Sequence, residues 1–215
     1  MSVESWAQKI VQDELQESVV VHDNNSQPGM YDLRIGPAEW RRVLYRVAAS
    51  LDGYIAGPRG EVDWIVHDPA VNFAKIYESV DTVLLGRRTY ELTRQPGAPA
   101  WPKGWQIYVF SRTLTPEEHP GVTVVRVDAG PRVAALRAAP GRVIWLFGGG
   151  SLFRSLLMAK QVDLVEVLVI PVLLGGGTPL LETGAPLTRL ALEHVQKYPS
   201  GLLGLRYRIP EAAAV

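Results

Sequence analysis

The chain contains no cysteine in 215 residues. That removes disulfides, thiolate nucleophiles and cysteine-built zinc sites together, and it fits a reducing compartment. Net charge is missing as well: 22 lysines and arginines balance 22 aspartates and glutamates, so no overall basic field is available to hold a nucleic-acid backbone. The four histidines, His22, His67, His119 and His194, are scattered, with no two at metal-ligand spacing, and no catalytic metal is expected. Long apolar runs are absent too. The longest, residues 164–174, is broken by Glu166 and Pro171, and the N-terminus has no basic stretch leading into an apolar one. The expectation is a soluble cytoplasmic chain.

What the chain does have is a strand of bulky apolar residues, Val143-Ile144-Trp145-Leu146-Phe147, running through Gly148-Gly149-Gly150 into a helix predicted over residues 152–160. Such a strand suits a sheet covered on both faces. The glycines let the backbone turn sharply and approach a ligand, and the helix aims its free N–H groups and positive dipole end at the same place. This is the shape of an anion site, and equally that of a plain strand-to-helix turn. It is neither the Gly-x-Gly-x-x-Gly fingerprint, which needs glycine at Phe153, nor a P-loop, since no Lys-Ser or Lys-Thr follows.

Residues 1–39 differ from the rest. They carry a helical spacing at Trp6, Ile10, Val11 and Leu15, a possible short strand over residues 18–22, and turn formers at residues 24–29. No recognisable chemistry lies there, so they are read as an N-terminal extension, followed by a core domain over residues 40–210 and a tail over residues 211–215. In the core, strands are predicted over residues 43–49, 81–85, 106–110, 121–127, 143–147 and 164–172, and helices over 69–79, 133–138 and 152–160. Residues 191–198 and 202–209 around Pro199-Ser200-Gly201 form a closing hairpin. Strands alternating with helices imply an α/β fold, a mostly parallel central sheet with an antiparallel C-terminal hairpin.

Ligands of open α/β sheets bind at the carboxyl ends of the strands. Three such ends carry groups that an anionic cofactor needs: Gly86-Arg87-Arg88-Thr89, Ser111-Arg112-Thr113 and Gly148-Gly149-Gly150-Ser151. Guanidinium groups offer paired planar donors to phosphate oxygens, and hydroxyls add short ones. Two cationic ends and a glycine turn can cover a 2′-phosphate and a pyrophosphate, which favours NADPH over NADH. Arginine at a strand end also commonly points into water or pairs with a carboxylate such as Glu91.

In order and spacing, the segments Arg46 to Ala56, Gly86 to Glu91, Phe110 to Thr113, Phe147 to Ser151 and Ile170 to Leu180 resemble the dihydrofolate reductase superfamily. The resemblance is closest to the C-terminal reductase domain of bacterial riboflavin-biosynthesis deaminase/reductase proteins. It implies a dihydrofolate-reductase-like three-layer sandwich, NADPH as hydride donor and a homodimer, while the balanced charge and interrupted apolar runs lead to the expectation of no nucleic-acid or membrane partner. Carried over, Ala48 and Ile55 line the nicotinamide, and Arg87, Arg88 and Thr89 hold phosphates. Ser111 and Arg112 sit at the 2′-phosphate, and Gly148, Gly149, Gly150, Ser151 and Leu152 pass under the pyrophosphate and ribose.

The substrate half matches less closely. Folate reductases place an acid five residues after a tryptophan; here that offset from Trp64 falls on Pro69, with Asp68 one short. Asp68 is a candidate catalytic acid or else a helix N-cap with Pro69 in the first helical position. Asp52 is a second catalytic candidate or a turn aspartate before Gly53. Asp63 and Trp64 are candidate substrate-pocket residues, Trp64 being alternatively core, and His67 reads as a solvated loop residue. The leading function is an NADPH-dependent oxidoreductase transferring hydride to a C=N or C=O bond of a small pterin-like or pyrimidine-like substrate. The alternative is a non-catalytic NADP-binding or dimeric interaction module.

Overall fold

A computed structural model of the protein describes residues 40–95, 98 and 100–210. The readings over residues 1–39 and 211–215 lie outside these. The described chain is a central sheet between two layers. Its strands are β1 (Val43–Ser50), β3 (Val80–Gly86), β4 (Gln106–Phe110), β5 (Thr123–Val125), β6 (Val143–Gly148), β7 (Leu164–Ile170), β9 (Ala191–Lys197) and β10 (Leu203–Arg208). A separate small sheet pairs β2 (Tyr54–Ala56) with β8 (Thr178–Pro179). The helices are α1 (Phe73–Ser79), α2 (Arg87–Leu92), α3 (Ala129–Ala138) and α4 (Gly150–Met158).

The main sheet has the order β5-β4-β3-β6-β1-β7-β10-β9. Neighbours from β5 through β7 are parallel, while β10 runs antiparallel to β7 and β9. Strands covered on both faces need apolar sequence, which β6 supplies throughout and β3 and β7 supply apart from Asp81, Thr82 and Glu166. On one face Tyr45, Ile144, Leu146 and Val167 pack under α3 and α4, through Val133, Leu136, Phe153 and Leu156. On the other, Val83, Leu85, Trp145 and Ile170 pack with Ile76 of α1 and Tyr90 of α2. Helix α4 buries Leu152, Phe153, Leu156 and Leu157, a one-sided stripe at helical spacing. Phe153 stacks on Tyr45 with ring centroids 3.9 Å apart, and burial pushes the Tyr45 phenol well above its ordinary pKa.

Several boundaries differ from the sequence-based expectation for physical reasons. Helix α1 begins at Phe73, capped by Asn72, whose side chain accepts from the Lys75 amide at 3.1 Å; residues 69–71 precede it as a turn. Helix α3 begins at Ala129 rather than Val133, because Pro131 falls in its first turn, where a missing N–H breaks no helical bond. Helix α4 starts inside the glycine turn, at Gly150. Strand β7 stops at Ile170, before Pro171, and β5 is shortened to three residues.

The connection after β1 leads to β3 on one side of the sheet, and that after β6 leads through α4 to β7 on the other. The carboxyl ends of the adjacent strands β6 and β1 therefore form a topological switch point, where a ligand crevice is expected.

Candidate active site

A cleft of about 1820 Å³ opens along these strand ends. Every residue singled out for cofactor binding lines it: Ala48 from β1, Ile55 from β2, Gly86 to Thr89 at the β3–α2 junction, Ser111 and Arg112 after β4, and Gly148 to Leu152 at the β6–α4 junction. The sheet order explains the convergence. Each apolar strand delivers its polar tail to the same edge.

The glycine turn is held between neighbours. A Cβ on Gly150 would sit 2.7 Å from the Pro179 carbonyl oxygen, so the β8 segment closes on the start of α4 at a distance only glycine permits. No side chain caps α4 at Gly149, which leaves its first-turn amides available to an anion in the cleft. Thr89 stands beside this turn: its Oγ1 would lie 3.5 Å from a Cβ at Gly149. Ser111 Oγ accepts from the Thr113 and Leu114 amides at 3.2 and 3.1 Å, shaping the loop that carries Arg112. Arg87 pairs with Glu91 at 3.1 Å, as its helical spacing allows. Among the described residues neither Arg88 nor Arg112 is ion-paired, and both are exposed into the cleft.

The two candidate carboxylates are placed differently. Asp68 lines the cleft but is 6% exposed, and it does not cap a helix. Its Oδ1 accepts from the Ala70 amide at 2.8 Å and its Oδ2 from the Ser200 amide at 3.0 Å, tying the loop before α1 to the β9–β10 turn. Asp52 is exposed and lies outside the cleft lining. It accepts from Ser50 Oγ at 2.6 Å, the Leu174 amide at 3.1 Å and the Gly175 amide at 2.7 Å, pinning the glycine-rich 174–177 segment to the end of β1. Asp63 is exposed, and Trp64 is half-buried against the core with its indole donating to the Glu61 carbonyl at 3.0 Å; neither lines the cleft.

Comparison with known proteins decides the family. The model of the RibD C-terminal domain matches residues 41–203. The chain belongs to the RibD C-terminal domain family. It is 30% identical over 178 residues to the uncharacterized protein YyaP of Bacillus subtilis, spanning 78% of this chain and 94% of that one. Among solved structures it is similar to a candidate riboflavin biosynthesis protein of Shewanella sp. PV-4, at 27% identity and a TM-score of 0.69 over 79% of this chain and 99% of that one. It also shares the fold of dihydrofolate reductase from Enterococcus faecalis, solved with NADP(H), at 19% identity and a TM-score of 0.58 over 80% and 99% of the two chains. The RibD C-terminal domain assignment and the shared fold support a reductase-type function. No helix among the described residues is long and apolar enough to cross a membrane.

This RibD C-terminal domain also holds a charged row that sequence reasoning missed. Arg46 of β1, Glu166 of β7 and Arg206 of β10 are register partners across three adjacent strands. Glu166 Oε1 accepts from Arg46 Nε at 2.5 Å, and its Oε2 accepts from Arg206 Nε and Nη2 at 3.0 and 2.8 Å. All three are buried, and Arg46 lines the cleft floor. Two guanidiniums against one carboxylate leave one surplus positive charge. The row ends at half-buried His194, the register partner of Arg206, whose pKa is lowered first by burial and then by Arg206. The signal was present as three charges set within apolar strands, but their meeting depends on strand register.

Asp68 yields a pH-dependent prediction. Hydrogen bonds from the Ser200 hydroxyl first, then from the Ala70 and Ser200 amides, hold its carboxyl below the usual range. A folded-state pKa below the unfolded value of about 3.9 stabilises the fold fully above that value, and the contribution disappears as pH falls through the folded one. Asp68→Asn is therefore expected to be less stable than the parent near pH 7, with the gap closing below about pH 4. Urea midpoints across this range check it; a gap independent of pH contradicts it.

Proposed function

We propose that this domain is an NADPH-dependent reductase acting on a C=N or C=O bond of a small pterin-like or pyrimidine-like ring. The observation that carries the reading is the convergence, in one cleft, of the three cationic or glycine-rich strand ends with an apolar half beside them. The donor set fits the cofactor. Arg88 and Arg112, with Arg87 and the Ser111 hydroxyl, suit a 2′-phosphate, and the uncapped amides of α4 suit a pyrophosphate. Ala48 and Ile55, on β1 and β2 beside the glycine turn, give the nicotinamide ring an apolar seat.

When bound, NADPH supplies a hydride, and one proton from water completes the reduction of the acceptor bond. The protein's part is placement and electrostatics. The surplus positive charge of the Arg46–Glu166–Arg206 row lies under the cleft floor, where it supports negative charge developing on an acceptor heteroatom. Asp52 and Asp68 are both held below the usual carboxylate range, Asp52 chiefly by the Ser50 hydroxyl, so at neutral pH both are ionised. In this reading Asp68 orients the acceptor-side loop, and Asp52 anchors the 174–177 segment.

A homodimer accords with the exposed Leu192 and Val195 on edge strand β9; a monomeric mass by light scattering would remove that part. The deciding experiment is calorimetric titration of the full chain with NADPH and, separately, NADH. Micromolar NADPH binding with much weaker NADH binding supports the reading, and binding of neither sinks it.

A further inference from the structure

We infer that Glu182 binds the cofactor, its carboxylate accepting hydrogen bonds from the two free hydroxyls of the nicotinamide ribose. The role rests on the reductase reading above; the placement of the residue does not. Glu182 follows β8 in a strap over residues 178–184 that the fold fixes along its length. At the start of the strap Thr178 pairs with Ala56 of β2, next to Ile55. The Leu180 amide then donates to the Gly53 carbonyl at 2.9 Å, and the Leu180 carbonyl accepts from the buried Tyr45 hydroxyl at 3.1 Å. Leu180 and Leu181 pack against the core beneath. At the far end Arg154 of α4 donates to the Thr183 carbonyl at 2.7 Å.

The strap runs from one seat of the cofactor to the next. Thr178 and Ile55, at the seat assigned to the nicotinamide, both line the cleft. Further on, the Glu182 amide nitrogen would lie 3.6 Å from a Cβ at Gly150, beside the first turn of α4 that suits the pyrophosphate. The group joining a nicotinamide to a pyrophosphate is a ribose. In NADPH the adenosine ribose carries phosphate on its 2′-oxygen, so the nicotinamide ribose holds the one free pair of adjacent hydroxyls.

Glu182 is half-buried, lines the cleft and makes no hydrogen bond or ion pair among the described residues. The other acids on the lining are accounted for. Asp68 is held by the Ala70 and Ser200 amides, Glu91 by Arg87, and Asp128 stands exposed at the N-cap of α3, where the helix end favours negative charge. A free carboxylate in a cleft otherwise suited to phosphate lowers affinity by repulsion, unless the ligand also brings donors to it. A ribose diol brings two, and hydroxyl-to-carboxylate bonds are short and charge-assisted. Acidic residues read ribose hydroxyls by the same chemistry in the dinucleotide sites of doubly wound sheets.

Calorimetry of the full chain with two probes tests the assignment. One is NADPH; the other is 2′-phosphoadenosine 5′-diphosphate, which keeps the 2′-phosphate and the pyrophosphate but lacks the second ribose. Glu182→Ala is expected to weaken NADPH binding about tenfold. Glu182→Gln keeps an acceptor and loses the charge, so its loss is expected to be smaller. Both variants are expected to bind the shorter probe as tightly as the parent or more so, because a negative charge leaves the neighbourhood of its pyrophosphate.

Unchanged NADPH affinity in Glu182→Ala overturns the inference and leaves the reductase reading standing. Tighter NADPH binding in that variant also overturns it, reducing Glu182 to a negative charge at a helix end. An equal loss for both probes overturns it too, since the residue then acts only as a prop for the strap. A parent that binds no NADPH sinks the inference and the reductase reading together.

Discussion

Glu166→Gln is expected to destabilise the domain by about 3–5 kcal/mol, the usual cost of removing one partner from a buried ion pair. For a domain of this size that lowers the melting temperature by roughly 6–20 °C. Glu166 is 1% exposed and binds two guanidiniums, Arg46 and Arg206, each 4% exposed, with an oxygen given to each. Glutamine preserves the volume and one acceptor oxygen, so packing alone predicts little change. What it removes is the only negative charge of the row, leaving two like charges facing each other across β7 in a medium where their repulsion is poorly screened. Adding Arg206→Met to Glu166→Gln removes one of those charges and is expected to recover part of the loss, a non-additivity that a double-mutant cycle measures directly. Urea unfolding of the three variants decides the matter. A Glu166→Gln cost below about 1 kcal/mol, in the range of exposed pairs, would mean that the row is compensated elsewhere.

The same row shows where sequence reading reached its limit. The strand-end motifs were legible because each is local: an apolar run fixes a strand, and the residues following it must emerge at its carboxyl end. Once a parallel sheet was inferred, Gly86 to Thr89, Ser111 to Arg112 and Gly148 to Leu152 had to share one edge, and they line one cleft. Pairings distant in sequence were not legible. Arg46 meets Glu166 across 120 positions and Glu166 meets Arg206 across 40, and only the β1–β7–β10 register brings them together. The pairing of β2 with β8 likewise joins two short segments more than a hundred residues apart. Trp101 and Trp105 come from a proline- and glycine-rich loop, whose composition says nothing about which strand it covers, yet they close on Trp145 and Phe147 of β6. Asp68 was ambiguous for a related reason. Its position before Pro69 reads as a helix cap, but Asn72 fills that role, and the Asp68 carboxylate is drawn instead to Ser200, 132 positions away.

The double variant Arg88→Ala/Arg112→Ala is expected to weaken NADPH binding by about a hundredfold or more while changing NADH binding only slightly. A hydrogen bond to a charged group contributes about 1.5–3 kcal/mol, so each lost guanidinium corresponds to roughly a tenfold to hundredfold change in dissociation constant. These two arginines are the informative pair because Arg87 already has Glu91 at 3.1 Å, whereas among the described residues Arg88 and Arg112 have no ion-pair partner. They stand on α2 and on the loop after β4, at adjacent strand ends in the sheet order β4-β3, and both line the cleft. Both are exposed, so their removal leaves the stability of the fold nearly unchanged and the loss reads on binding. The comparison of NADPH with NADH separates a 2′-phosphate site from general attraction of an anion. If the arginines act only through long-range field, both nucleotides weaken together and added salt erases the difference between variant and parent. If they grip the 2′-phosphate, the loss falls on NADPH alone and the single variants divide it between them. Equal NADPH affinity in parent and double variant would move the 2′-phosphate away from the β3 and β4 ends, and with it the coenzyme preference assigned to this cleft.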